Sequence, residues 1–142
     1  MNKKNLPYLL IFLGSIPFIF FSFLRMLSYE EFFHLDINYI LSIYSLSIIS
    51  FICGSHWGIL LTNNNLKINL FLLSNLITIS SFFGILFLKV NYFFLLQILI
   101  LILLLLIDFY IFRQNIIQKK YIYSRILITI IVVGCLIIPA II

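Results

Sequence analysis

The chain has 142 residues, 64% of them hydrophobic and 9% charged, and a mean hydropathy of +1.25. Nine Lys and Arg against four Asp and Glu give a net charge of +5. So apolar a composition excludes a soluble domain, and the length suits one compact bundle of membrane helices with no second domain. Ala140 is the only alanine, whereas Ile, Phe, Leu, Asn and Tyr abound. That bias is typical of an AT-rich genome, so neither the sixteen Phe nor the run Asn63–Asn65 is read as a functional signal.

Met1–Asn5 is short and basic, with Lys3 and Lys4, and a first span of about Leu6–Leu24 follows. No A-x-A-like cleavage site follows it, so a retained helix is expected rather than a signal peptide. Gly14 and Pro17 interrupt the span. Pro17 removes a backbone donor and frees the carbonyl of Leu13, so a kink is expected there. The loop Arg25–Asp36 carries Glu30, Glu31 and Asp36, three of the four acids. Its apolar residues Leu27, Tyr29, Phe32, Phe33 and Leu35 suit the membrane interface.

The second span, about Ile37–Leu61, is the richest in small and polar residues. On a helical wheel Ser47, Ser50, Gly54 and Gly58 share one narrow face. Ser50, Gly54 and Gly58 form a small-xxx-small ladder, which lets another backbone approach closely in lipid, so helix packing is expected there. His56 points the opposite way, in line with Ser45 and Ile49, and an imidazole is costly against lipid tails. A helix wanted on both sides is expected to be central. Trp57, the only Trp, sits where an interfacial anchor belongs.

A polar turn, Thr62–Lys67, leads to a third span of about Ile68–Leu88 containing Asn75, Ser80, Ser81 and Gly84. After a tight turn at Lys89–Asn91, the fourth span, about Tyr92–Phe112, is almost pure Leu and Ile until Asp108. A basic loop, Arg113–Ser124, precedes a fifth span of about Arg125–Ile142. Cys53 and Cys135 both fall within spans and form no CxxC motif, so buried structural thiols are expected rather than a disulfide or a zinc site.

Five spans place the two ends of the chain on opposite sides. One side then holds Lys3, Lys4, Lys67, Arg113, Lys119, Lys120 and Arg125, and the other only Arg25 and Lys89. The positive-inside rule makes the first side cytoplasmic, with the N-terminus in the cytoplasm and the C-terminus opposite. The expected setting is the inner membrane of a bacterium, or of a mitochondrion in a eukaryote. The basic stretch Gln114–Lys120 is expected to meet anionic headgroups, not nucleic acid.

Depth brings the polar residues together. His56, Asn75, Asp108 and Arg125 come from four spans, and all fall within roughly 10 Å of the cytoplasmic boundary at 1.5 Å per residue. Ionisable groups in a membrane seek partners, so a polar layer is expected, with Asp108 and Arg125 as a pair and Arg113 as a rival that could instead snorkel to the headgroups. Such a layer has two readings: a cytoplasm-facing pocket in which His56 and Asp108 exchange a proton, or a set of buried hydrogen bonds that fastens helices. His34 lies across the membrane from His56, so the two cannot share a metal. No HExxH, GxSxG or Walker A motif is present.

Several of these residues carry a resemblance. Gly14-x-Ile16-Pro17-Phe18 and Ser50-Phe51-x-x-Gly54-x-His56-Trp57-Gly58 resemble the membrane proteins grouped as domain of unknown function 3429, to which the eukaryotic transmembrane protein 69 looks similar. Tyr123-x-Arg125-x-x-x-Thr129 and Asp108 fit the same pattern. The third span departs from it, with Ser74-Asn75-Leu76 where relatives are expected to have Pro and Trp. The resemblance covers nearly the whole chain. It implies a small multi-pass protein of energy-transducing membranes, without an assigned activity.

The sequence therefore reads as an all-α integral membrane bundle of five spans. The function expected is a non-enzymatic packing or assembly component of a membrane complex, with the lipid bilayer and other membrane subunits as partners and without cofactor or metal. A small proton-coupled carrier using the polar layer is the alternative. An enzyme acting on a lipid or quinone would need a nucleophile or metal that the sequence does not supply.

Overall fold

Long apolar runs must satisfy their backbone internally in lipid, and the chain does so as helices. The computed structural model describes residues 6–62 and 68–141. Lys3, Lys4, the run Asn63–Asn65 and Lys67 lie outside the described residues. Five helical segments are long and apolar enough to cross a membrane. The chain is a multi-pass membrane protein.

The first span is broken in two. Helix α1 (Leu6–Leu13) and helix α2 (Ile16–Met26) meet at Gly14–Ser15, with Pro17 in the first turn of α2. A carbonyl freed at this break needs a donor, and the Tyr44 hydroxyl donates to the Gly14 carbonyl oxygen at 2.9 Å. Helix α2 closes with the Ser28 N–H donating to Arg25 and the Tyr29 N–H to Leu24, Ser28 standing in the left-handed region at φ 65°.

Residues expected as plain loop form a two-stranded antiparallel hairpin, β1 (Glu31–Phe32) and β2 (Leu35–Asp36). Its two turn residues, Phe33 and His34, have φ of 51° and 64°. Two positive φ values define a type I′ turn, which ordinarily takes Asn-Gly. Left-handed conformations cost about 1–2 kcal/mol per non-glycine residue, so Phe33–His34 gives no turn signal in the sequence. Ring packing offsets the cost: Phe32 lies edge-on to Phe20, Phe21 and Phe33 at centroid distances of 5.6, 5.5 and 4.7 Å.

Helix α3 (Ile37–Thr62) starts directly after the hairpin, and Asp36 caps it by accepting from the Tyr39 N–H. Helix α4 (Leu70–Phe87) is capped by Asn69, and α5 (Val90–Arg113) and α6 (Lys119–Ile141) complete the chain. The last helix starts at Lys119 rather than at Arg125. Lys119–Ser124 reads as loop by hydropathy, but it contains no Gly or Pro, and long basic side chains continue a helix while their heads reach water. Arg125 therefore sits inside the helix, about 9 Å from its start.

Helices α2, α3, α5 and α6 form a ring, each packed on the next, and α4 sits outside it against α3 and α5. Each helix turns one seam inward. On α5 the seam is Gln97, Leu101, Leu104, Asp108 and Ile111; on α6 it is Ile122, Arg125, Thr129, Val132 and Leu136. Phe18, Ile49, Phe94 and Leu104 fill the interior. Against α5, α4 packs tightly at Gly84, where an added Cβ would lie 2.6 Å from the Leu96 side chain and 3.4 Å from the Phe93 ring. A Cβ on Gly134 would meet nothing within 4 Å. Gly84→Leu is expected to overpack this crossing by about 1–3 kcal/mol, and Gly134→Leu to leave stability unchanged. Thermal unfolding in detergent compares the two, and equal melting temperatures would refute the close crossing.

Candidate functional site

Asp108 is the one acid on an inward seam. In a membrane interior a carboxylate must find donors. It finds two, from two other helices. The His56 Nε2 lies 2.8 Å from Asp108 Oδ1, and the Arg125 Nε donates to Asp108 Oδ2 at 2.7 Å. His56, Asp108 and Arg125 are 1%, 0% and 6% exposed, so the contact is desolvated. A carboxylate held by a guanidinium accepts and does not donate, so the His56 Nε2 carries the proton. The charges of the Asp108 carboxylate and the Arg125 guanidinium cancel. Arg125 Nη2 is buried without a hydrogen-bond partner, which leaves part of its desolvation uncompensated.

The geometry joins α3, α5 and α6 at the end of the bundle where α5 ends and α6 begins. At the same level Trp57 ties α4 to α3. Its indole N–H donates to Ser74 Oγ at 2.6 Å, and its ring meets Phe71 edge-on at 5.4 Å. Trp57 remains 40% exposed, so one side of the ring is free while its polar tip is engaged by protein.

Asn75 does not join this group. The inward seam of α4 is Leu70, Ser74, Ile77, Ser81 and Gly84; Asn75, one position past Ser74, is exposed. Shared depth placed it in the layer, but rotation about the helix axis turns it out. Arg113 is likewise exposed, and both oxygens of Asp108 are already engaged. The face of α3 carrying Gly54 and Gly58 also differs from the expected arrangement. Both glycines are exposed, with nothing within 4 Å of an added Cβ, and Ser50, half-buried, returns its hydroxyl to the Leu46 carbonyl. The buried face is the one with Ser45, Ile49, Ile52 and His56. Turning His56 away would leave a buried Asp108 oxygen without its donor and put an imidazole against lipid, a cost of about 1–3 kcal/mol for the unmade hydrogen bond alone, so His56 favours this rotation of α3.

Three further fasteners were not singled out from the sequence. Buried Gln97 donates from Nε2 to Ser81 Oγ at 2.7 Å, joining α5 to α4. Ser22 donates to the Cys135 carbonyl at 2.9 Å, joining α2 to α6. Tyr44 joins α3 to the break at Gly14. Gln97 was legible: it is the only amide in the Leu/Ile run and precedes Asp108 on the same seam by eleven residues. The serines give no such signal, because a helix can satisfy a serine by its own carbonyls. Cys53 and Cys135 are both free thiols, the first buried. Among the described residues, no three His, Cys, Asp or Glu side chains come together as a metal site.

Arg125→Leu is expected to destabilise the fold by about 3–5 kcal/mol, because it leaves the buried Asp108 carboxylate without its guanidinium. Replacing His56, Asp108 and Arg125 together by Leu is expected to recover most of that loss. Denaturant unfolding in micelles measures both, and an Arg125→Leu variant as stable as the parent would refute the role of the pair.

The family model described as Protein of unknown function (DUF3429) matches residues 4–141 of the chain. No curated protein and no solved structure matches it.

Proposed function

We propose a role for this chain, which belongs to the DUF3429 family, as a non-enzymatic packing or assembly component of a membrane complex. The observation that carries the reading is the outer face of α3. Ser47, Gly54, Ser55 and Gly58 are exposed there, on a helix whose opposite face, with Ser45, Ile49, Ile52 and His56, is buried in the bundle. Small residues facing lipid gain nothing from it, whereas a second helix can approach them closely. The groups with catalytic potential support the same reading by how they are used, since both oxygens of Asp108 serve neighbouring helices. That pairing gives the carrier alternative no support. The partner is a helix of another membrane subunit, and the bilayer is the shared solvent.

Gly54→Leu separates assembly from folding, because a side chain at this position meets nothing within the chain. The variant is expected to accumulate and melt like the parent but to lose its higher-mass assemblies on native gels of mild-detergent extracts. Unchanged assemblies would overturn the reading.

The orientation belongs to the same proposal. In a bacterial inner membrane, the end with Arg113, Lys119, Lys120 and the His56–Asp108–Arg125 cluster faces the cytoplasm, supported by the seven-to-two division of cations. A membrane-impermeant thiol reagent applied to intact cells is expected to label Glu31→Cys and to spare Gln114→Cys. The reverse pattern would place the cluster on the outer side.

A further inference from the structure

The β1–β2 hairpin has the construction of a device for the membrane surface. Alternation along a strand sends successive side chains to opposite faces. In this register Phe32 pairs with Leu35 and Glu31 pairs with Asp36, so the hairpin has one apolar and one acidic face. The apolar face is turned against α2. Phe32 meets Phe20 and Phe21, which lie six and five residues before the end of that helix at Met26. At 1.5 Å per residue those rings sit roughly 8–9 Å inside the helix end. The hairpin thus folds back along the last two turns of α2 instead of standing away from the bundle.

The hairpin meets α2 at the margin between core and lipid, with Phe21 and Phe32 half-buried against the core. Phe20 is exposed there, as are Ile16, Ile19 and Phe23 around it. Phe33 at the tip continues this apolar belt and is 83% exposed, more than any other large apolar residue described. Leu27, Tyr29 and Leu35 beside it are also exposed. The backbone at Phe33 and His34 is held in the left-handed region, so an aromatic side chain stands at a tip where glycine would relieve strain. Aromatic rings are favoured at the level of the headgroups.

We propose that the hairpin is a membrane-interface wedge. Phe33, with Leu35, enters the headgroup and upper acyl layer of the leaflet at the C-terminal end of α2, with Phe32 anchoring the hairpin on that helix, while Glu31 and Asp36 stay in water. Its partner is the lipid surface, on the side of the membrane opposite the His56–Asp108–Arg125 cluster. This placement is independent of whether α3 docks a second helix.

The test is a tryptophan scan of the full chain in vesicles of phosphatidylcholine and phosphatidylglycerol. Phe33→Trp, Leu35→Trp and Glu31→Trp are each compared with the parent, whose Trp57 supplies the common background. The emission added at positions 33 and 35 is expected to be blue-shifted, to be largely lost in lipids brominated near the top of the acyl chain, and to resist acrylamide. The emission added at position 31 is expected to show the opposite pattern. Water-like behaviour at all three positions overturns the wedge and marks the hairpin as a surface for a water-soluble partner. Lipid-like behaviour at all three overturns its two-faced character. Should Phe33→Trp not fold, Leu35→Trp against Glu31→Trp decides the same question.

Discussion

One carboxylate governs how this bundle is assembled. Asp108 lies in a helix of otherwise almost unbroken hydrocarbon, and a charge there is tolerated only with partners. Two separate helices supply them, and each loses rotational freedom by doing so. His56 fixes the rotation of α3, and Arg125 fixes that of α6. Hydrophobic contact alone is a poor guide to rotation in a membrane, since lipid tails receive Leu and Ile as readily as protein does. The polar contacts therefore carry the directional information that a water-soluble bundle takes from its hydrophobic stripe.

The remaining polar contacts continue that logic in a division of labour. Helix α4 stands outside the ring and has no part in the charged cluster. It is held at one end by Trp57 on Ser74, in the middle by Gln97 on Ser81, and beyond that by the close passage of Gly84 against α5. The broken first span is held by Ser22 on the Cys135 carbonyl and by Tyr44 on the carbonyl of Gly14. The four hydrogen bonds each join a different pair of segments, so each contributes specificity where apolar packing would permit sliding.

What the residues disclosed and what they hid follow from the same physics. The spans were legible because twenty-residue apolar runs admit few other readings, and the depth of His56, Asp108 and Arg125 followed from counting along them. Azimuth was not legible for Asn75, because α4 has polar residues at adjacent positions and only the contact with Trp57 selects Ser74. The outward turn of Gly54 and Gly58 was hidden for a related reason: two faces of α3 both looked fit for packing, and the choice between them depends on Asp108, fifty residues away. The start of α6 was obscured by the amphipathic stretch Lys119–Ser124, and the hairpin by a turn whose residues, Phe33 and His34, are not those the geometry ordinarily takes. The family model spans residues 4–141 and adds no activity.

The charge balance of the buried cluster has an electrical meaning. A membrane potential does work on a charge it moves, about 2.3 kcal/mol per elementary charge per 100 mV. An unpaired Asp108 would pull its helix one way across that field, and an unpaired Arg125 would pull the other. Joined at 2.7 Å, their opposite charges cancel, and a uniform field exerts no net force on the pair. The link between α5 and α6 therefore carries no net charge for the membrane potential to move.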